Sequence, residues 1–219
     1  MLHQTHALTA AAIACTLLLA ATPATAVEMF RFDRGIGSEP LRAGPAGVPP
    51  VPNPSPVANV VAGVAPGGAP WPVESLKVDI GYDGRIRAVV QGLVLGGTDN
   101  IGTRGGPRRI VISLFCRDAP APGAVAGALQ TIPYNSEFVE LDPDGNFRLD
   151  SALTNASGAT PQANCGDSID NRPVLLVRTV TAANAGTGAP AAPGAWFAAG
   201  VLKNAQHRDD DNGRDNRGR

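Results

Sequence analysis

Two cysteines, Cys116 and Cys165, are the residues of this chain best placed to form a covalent bond with one another. The third, Cys15, sits inside an apolar leader, so removal of that leader leaves an even pair. An even pair in an exported chain reads as one disulfide. It would close a loop of about 50 residues, worth ~4 kcal/mol in the chain-entropy account.

Nucleophilic catalysis is poorly supplied. A Ser or Cys nucleophile needs a held imidazole beside it. His3 and His6 fall in the leader, and His207 stands in a charged run beside Arg208 and Asp209-Asp210-Asp211. Zinc centres built from several His or Cys are excluded on the same count. No GxSxG, HExxH, Walker or GxGxxG pattern lies in a strand-turn-helix setting. Carboxylates remain, and a glycosidase needs two of them roughly 5–9 Å apart in a cleft. Glu74, Glu137 and Glu140 are not paired by spacing, and the aspartates fall mostly at turns or outward strand positions. A non-catalytic chain is therefore expected, with a secreted carboxylate-dependent hydrolase as the alternative.

Calcium is the one cofactor the residues suggest. Asp142, Asp144, Asn146 and Asp150 cluster along one turn, and hard cations take clustered oxygens. The EF-hand order is not met, because Pro143 and Gly145 occupy ligand slots and no Glu closes the loop. A second group, Asp167, Asp170 and Asn171, flanks Cys165. Turn Asp and Asn commonly cap their own backbone instead. A Ca²⁺-binding surface protein is the second alternative. Sugar binding would call for exposed aromatic platforms, for which Trp71, Tyr82 and Tyr134 are the candidates; Trp196 and Phe197 read as core. Asn155-Ala-Ser157 matches a glycosylation acceptor.

The elements that must position these residues follow a leader. Leu8 to Ala20 is almost wholly apolar, about the length of a signal-peptide core and too short to span a bilayer. Pro23 and then Ala24-Thr25-Ala26 supply a helix break and a small-x-small cleavage pattern. Residues 1–26 are expected to be removed, although the start of the leader carries no Lys or Arg. No later run reaches the ~18 apolar residues of a membrane span. The expected location is secreted, periplasmic or extracellular, as a cell-surface component whose partner the sequence does not name.

Composition agrees with this reading. Gly and Pro together make 46 of 219 residues, charged residues are 17%, aromatics 5%, and the net charge is −1. Such a chain is neither a coiled coil nor a helical bundle, and it lacks the basic excess of a nucleic-acid binder. Ten of the twenty prolines fall between residues 40 and 72. Residues 27–72 are thus expected to form an extended spacer, partly polyproline II. At its start, Phe30-Arg31-Phe32-Asp33-Arg34 is expected to fray rather than dock.

Residues 73–204 change character, to short alternating segments separated by turn signals. Leu76, Val78 and Ile80 share a face opposite Lys77 and Asp79. Gly81 to Gly84 reads as a hairpin turn, and Ile86, Ala88 and Val90 face in from the following strand. Ile110, Ile112, Leu114 and Cys116 share another face, and further strands are expected around Pro133, over 146–153, 173–180 and 195–202. Asp142-Pro143-Asp144-Gly145 fits a type I turn. Seven or eight such strands without a 3.6-residue period point to an all-β fold. The expected architecture is an antiparallel β-sandwich, immunoglobulin-like in the broad sense, with a small antiparallel barrel as runner-up. Residues 205–219, polar and of mixed charge, are expected to be a disordered tail.

Overall fold

A computed structural model of the chain describes residues 28–44, 56–107, 109–117, 128–130, 132–162, 165–166 and 171–203. The leader, the 118–127 loop and the charged tail lie outside the described residues. The strands are β1 (Glu28–Gly37), β2 (Leu41–Arg42), β3 (Val57–Ala58), β4 (Ser75–Gly81), β5 (Arg85–Gln91) and β6 (Arg109–Phe115). They continue with β7 (Tyr134–Asn135), β8 (Val139–Glu140), β9 (Phe147–Ala152), β10 (Val174–Thr181) and β11 (Ala192–Leu202).

The fold is all-β and every pairing between strands is antiparallel. One sheet runs β7-β6-β10-β11-β1-β4-β5-β9, with β8 also on β6, and β2-β3 form a separate ribbon. The ends of this path meet again. Asn135, the last residue of β7, and Thr154, just past β9, form an antiparallel bridge, with Asn135 N–H donating to Thr154 O at 2.8 Å and Thr154 N–H donating to Asn135 O at 3.0 Å. The sheet is therefore nearly closed. Of the two arrangements the strand pattern allowed, the strands adopt the barrel, in one continuous path rather than two facing sheets.

The interior is filled by period-2 residues from every long strand. Leu76, Val78, Ile80, Ile86, Val90, Ile110, Ile112, Leu114, Leu175 and Val177 are wholly buried in one cluster. Each such side chain contributes about 1.5–3 kcal/mol relative to leaving it in water. The alternation expected for β4, β5 and the inner face of β6 is thus realised.

β6, β10 and β11 are apolar on their outer faces too. Phe115, Leu176 and Trp196 form a second cluster outside the barrel, covered by Val61, Ala62, Val64 and Leu129. Three of these four, Val61, Ala62 and Val64, come from the segment expected to be a spacer. Trp196 N–H donates to Ala65 O at 3.0 Å, Gly67 N–H donates to Trp196 O at 3.0 Å, and the Trp196 indole N–H donates to Asn59 O at 3.0 Å. Trp71 then folds into the barrel mouth, stacked on Phe197 with ring centroids 4.0 Å apart. A Cβ on Gly67 would lie 2.7 Å from the Phe197 ring and 2.9 Å from the Trp71 indole nitrogen, so only glycine lets the chain pass there.

The expected division at residue 72 is corrected accordingly. Residues 56–72 pack on the barrel as a strap, and residues 28–37 form β1, hydrogen-bonded between β11 and β4. The stretch expected to fray is a central strand, because Phe30 and Phe32 point into the core while Arg31 meets Asp79 outside. Two buried aromatic rings offset the entropy of ordering a terminus.

Candidate functional site

The described interior is filled by apolar side chains, and the candidate polar groups stand at the barrel ends and on its outer face. The cysteines stand at one end. Cys116 directly follows β6 and Cys165 lies in the crossover from β9 to β10; their Cα atoms are 4.7 Å apart, within disulfide distance. Both are buried in the core cluster. Nearby, Arg117 Nε donates to Arg172 O at 2.9 Å, tying the same crossover to the end of β6.

The calcium candidates are brought to one hairpin, but their oxygens are engaged. Asp142 Oδ1 accepts the backbone N–H of Asp144 at 2.9 Å and of Asn146 at 2.8 Å, while its Oδ2 accepts the Asn146 amide at 3.2 Å. These bonds, led by that from the Asn146 backbone, hold the Asp142 carboxyl below its ordinary value. Gly145, at φ 77°, completes the turn in the left-handed region that favours glycine. Asn146 Oδ1 accepts Gly92 N–H at 3.0 Å, locking this hairpin to the neighbouring loop. Asp150 belongs to a different constellation, on the outer face of β9. It accepts Arg85 Nε at 2.9 Å, Arg85 Nη2 at 3.1 Å and Arg87 Nε at 3.4 Å. The hydrogen bonds from Arg85 lower its pKa. Among the described residues no group of three or more His, Cys, Asp or Glu is gathered closely enough to hold a metal ion. Of the second acidic group only Asn171 is described, and it is buried.

The carboxylates considered for hydrolysis are spread over the structure. Glu140 ends β8, Glu137 precedes it, and Glu74 precedes β4. Of the aromatic platforms, only Tyr82 is exposed, at 50%. Trp71 and Tyr134 are buried at 3% and 8%, which corrects the expectation that they face solvent. Trp71 plugs the barrel mouth, and Tyr134 faces inward from β7 because the bridge at Asn135 sets the opposite face outward.

Sequence reasoning did not single out the outer face of β1 and β4. A shallow depression of about 240 Å³ is lined there by Arg31, Phe32, Asp33, Lys77 and Asp79. Arg31 Nε pairs with Asp79 Oδ1 at 2.7 Å, Arg31 Nη2 with Glu28 Oε2 at 3.2 Å, and Lys203 Nζ with Asp33 Oδ2 at 3.3 Å. The outward alternation of Lys77 and Asp79 was visible in sequence, but their meeting with Arg31 depends on the β1–β4 register. All these pairs are half exposed, so they add little stability.

Among the described residues Arg178 is the arginine whose pKa is pushed down, by burial. On the outer face of β10 its Nε donates to Gly194 O at 2.9 Å, its Nη2 to Pro193 O at 3.1 Å and its Nη1 to Ser113 Oγ at 3.4 Å. The β10–β11 register slips on either side of Arg178. The guanidinium thus bonds two β11 carbonyls where the ladder is irregular.

Among the described residues no helix is long and apolar enough to cross a membrane. No family model, no curated protein and no solved structure matches this chain.

Proposed function

We propose that the chain is an exported, non-catalytic β-barrel module with a structural, adhesive or ligand-binding role at or beyond the cell surface, and that Cys116 and Cys165 are oxidised to a disulfide there. The observation that carries this reading is the cysteine pair itself. Two thiols 49 residues apart in sequence are set at bonding distance at the end of a packed barrel, as oxidising compartments favour. The apolar leader ending at Ala24-Thr25-Ala26 supports export. Carboxylates engaged in turn caps and arginine pairs support a non-catalytic role, since a general acid or base needs a free oxygen facing substrate.

Fractionation of producing cells with N-terminal sequencing tests the reading. A chain beginning at Val27 outside the cytoplasmic membrane is the expected result. Full-length protein confined to the cytoplasm, with both thiols open to alkylation, would overturn it.

A further inference from the structure

We propose that the Cys116–Cys165 disulfide is the lock of the barrel seam, making closure of this sheet sensitive to its redox surroundings. The inference rests on the reading that the pair is oxidised.

The seam lies between β8 and β9. β9 is fully laddered to β5 on one side, from Arg85↔Ala152 to Val90↔Phe147. Leu153 N–H donates to Gly84 O at 2.8 Å, so the odd-numbered residues of β9 turn their backbone groups towards β5. The even-numbered ones, Arg148, Asp150 and Ala152, turn theirs towards the seam. Among the described residues the seam is closed at the hairpin, where Asp142 N–H donates to Asn146 O at 3.1 Å, and again only at the Asn135↔Thr154 bridge. Between these points β8 pairs with β6 instead of β9. The strand carrying β7 and β8 is also irregular. Its partner sum on β6 changes from Ser113↔Asn135 to Ile110↔Val139, and Ser136 Oγ takes the place of a carbonyl in accepting Ile112 N–H at 3.0 Å.

The disulfide ties the end of β6 to the crossover that follows β9, and in sequence its two cysteines stand on either side of the strands that form this weak line. Cys116 belongs to the β6 side of the seam, three residues after Ser113, which pairs with Asn135. Cys165 belongs to the crossover that leaves β9 through Thr154, the other half of the bridge. Everything that forms the seam, β7, β8 and β9, is contained in the 49-residue interval between the two cysteines. The other six strands of the sheet pair with one another outside that interval. A cross-link restricts the loop it closes, and here that loop carries both strands of the least-bonded contact of the sheet.

Reduction is a two-electron step. A dithiol reductant gives up two electrons and two protons, the S–S bond breaks to two thiols, and the dithiol closes to its own disulfide. Hydrogen exchange on the native full chain, before and after treatment with dithiothreitol, reads the result. Protection at the Asn135 and Thr154 amides should lie within about threefold of that at Leu76, Val78, Leu175 and Val177 in the oxidised protein and fall at least about tenfold below it in the reduced one. The Cys116→Ser, Cys165→Ser double variant should reproduce that pattern without reductant. Unchanged exchange at Asn135 and Thr154 in both would overturn the lock. So would an equal loss of protection at the seam and across β4 and β10, which means global destabilisation without a separate opening of the seam. Mass spectrometry after alkylation without reductant separates the two readings: two alkyl groups on the native chain sink the oxidised pair and the lock together, whereas an oxidised pair with unchanged exchange sinks the lock alone.

Discussion

Single side chains here do backbone work more than chemistry. Asp142 and Asp150 both have depressed pKa values, from hydrogen bonds to backbone N–H and to Arg85 respectively. A carboxyl whose folded pKa lies below its unfolded value stabilises the fold above the unfolded value and loses that contribution as pH falls through the folded one. Stability should therefore decline on acidification from about pH 5 towards pH 2, and carboxyl NMR titrations of both residues should have midpoints below the ordinary Asp value. Midpoints at or above that value would contradict the hydrogen-bond assignment. Arg178→Ala should cost about 1–3 kcal/mol in urea unfolding, because the Gly194 and Pro193 carbonyls lose their donors. Ser38 provides the opposite case. It is 1% exposed and its hydroxyl has no hydrogen-bond partner. Ser38→Ala removes an unsatisfied buried group and should leave stability unchanged or raise it by up to about 1–2 kcal/mol.

The strap is the element that most changes the picture of this chain. Residues 43–73 contain no charged residue, which suits a segment lying on an apolar outer face as well as it suits a spacer. Trp71 separates the two. If residues 56–72 were a spacer, Trp71→Ala would leave the unfolding midpoint alone. Packed against Phe197 in the barrel mouth, it should cost about 3–5 kcal/mol. Denaturant unfolding followed by circular dichroism makes the distinction. The strap also accounts for strands that the alternation rule reads poorly. Phe115 is as buried as its inward neighbours, since Val61, Ala62 and Val64 pack over it outside the barrel.

At the scale of the whole molecule, closure rests on a long ladder fastened at one weak seam. Replacing both cysteines by serine should lower stability by about 4 kcal/mol on the chain-entropy account of a 49-residue loop. Equilibrium unfolding of the two forms measures it, and a loss under about 1 kcal/mol would mean the reduced chain keeps the same constraints by packing alone. The all-β class, the inward residues of β4, β5 and β6, the Asp142–Gly145 turn and the approach of Cys116 to Cys165 within disulfide distance are legible in the sequence alone. Each depends on period-2 alternation, on turn chemistry or on counting, which act over a few neighbouring residues. Closure of the barrel, the place of β1 between β11 and β4, the fold-back of the proline-rich strap and the diversion of Asp150 to Arg85 were decided by tertiary structure alone. These contacts join residues from 19 positions apart, at Asn135↔Thr154, to 170 positions apart, at Phe32↔Leu202, and no local pattern specifies which strand edge or apolar face a segment will meet.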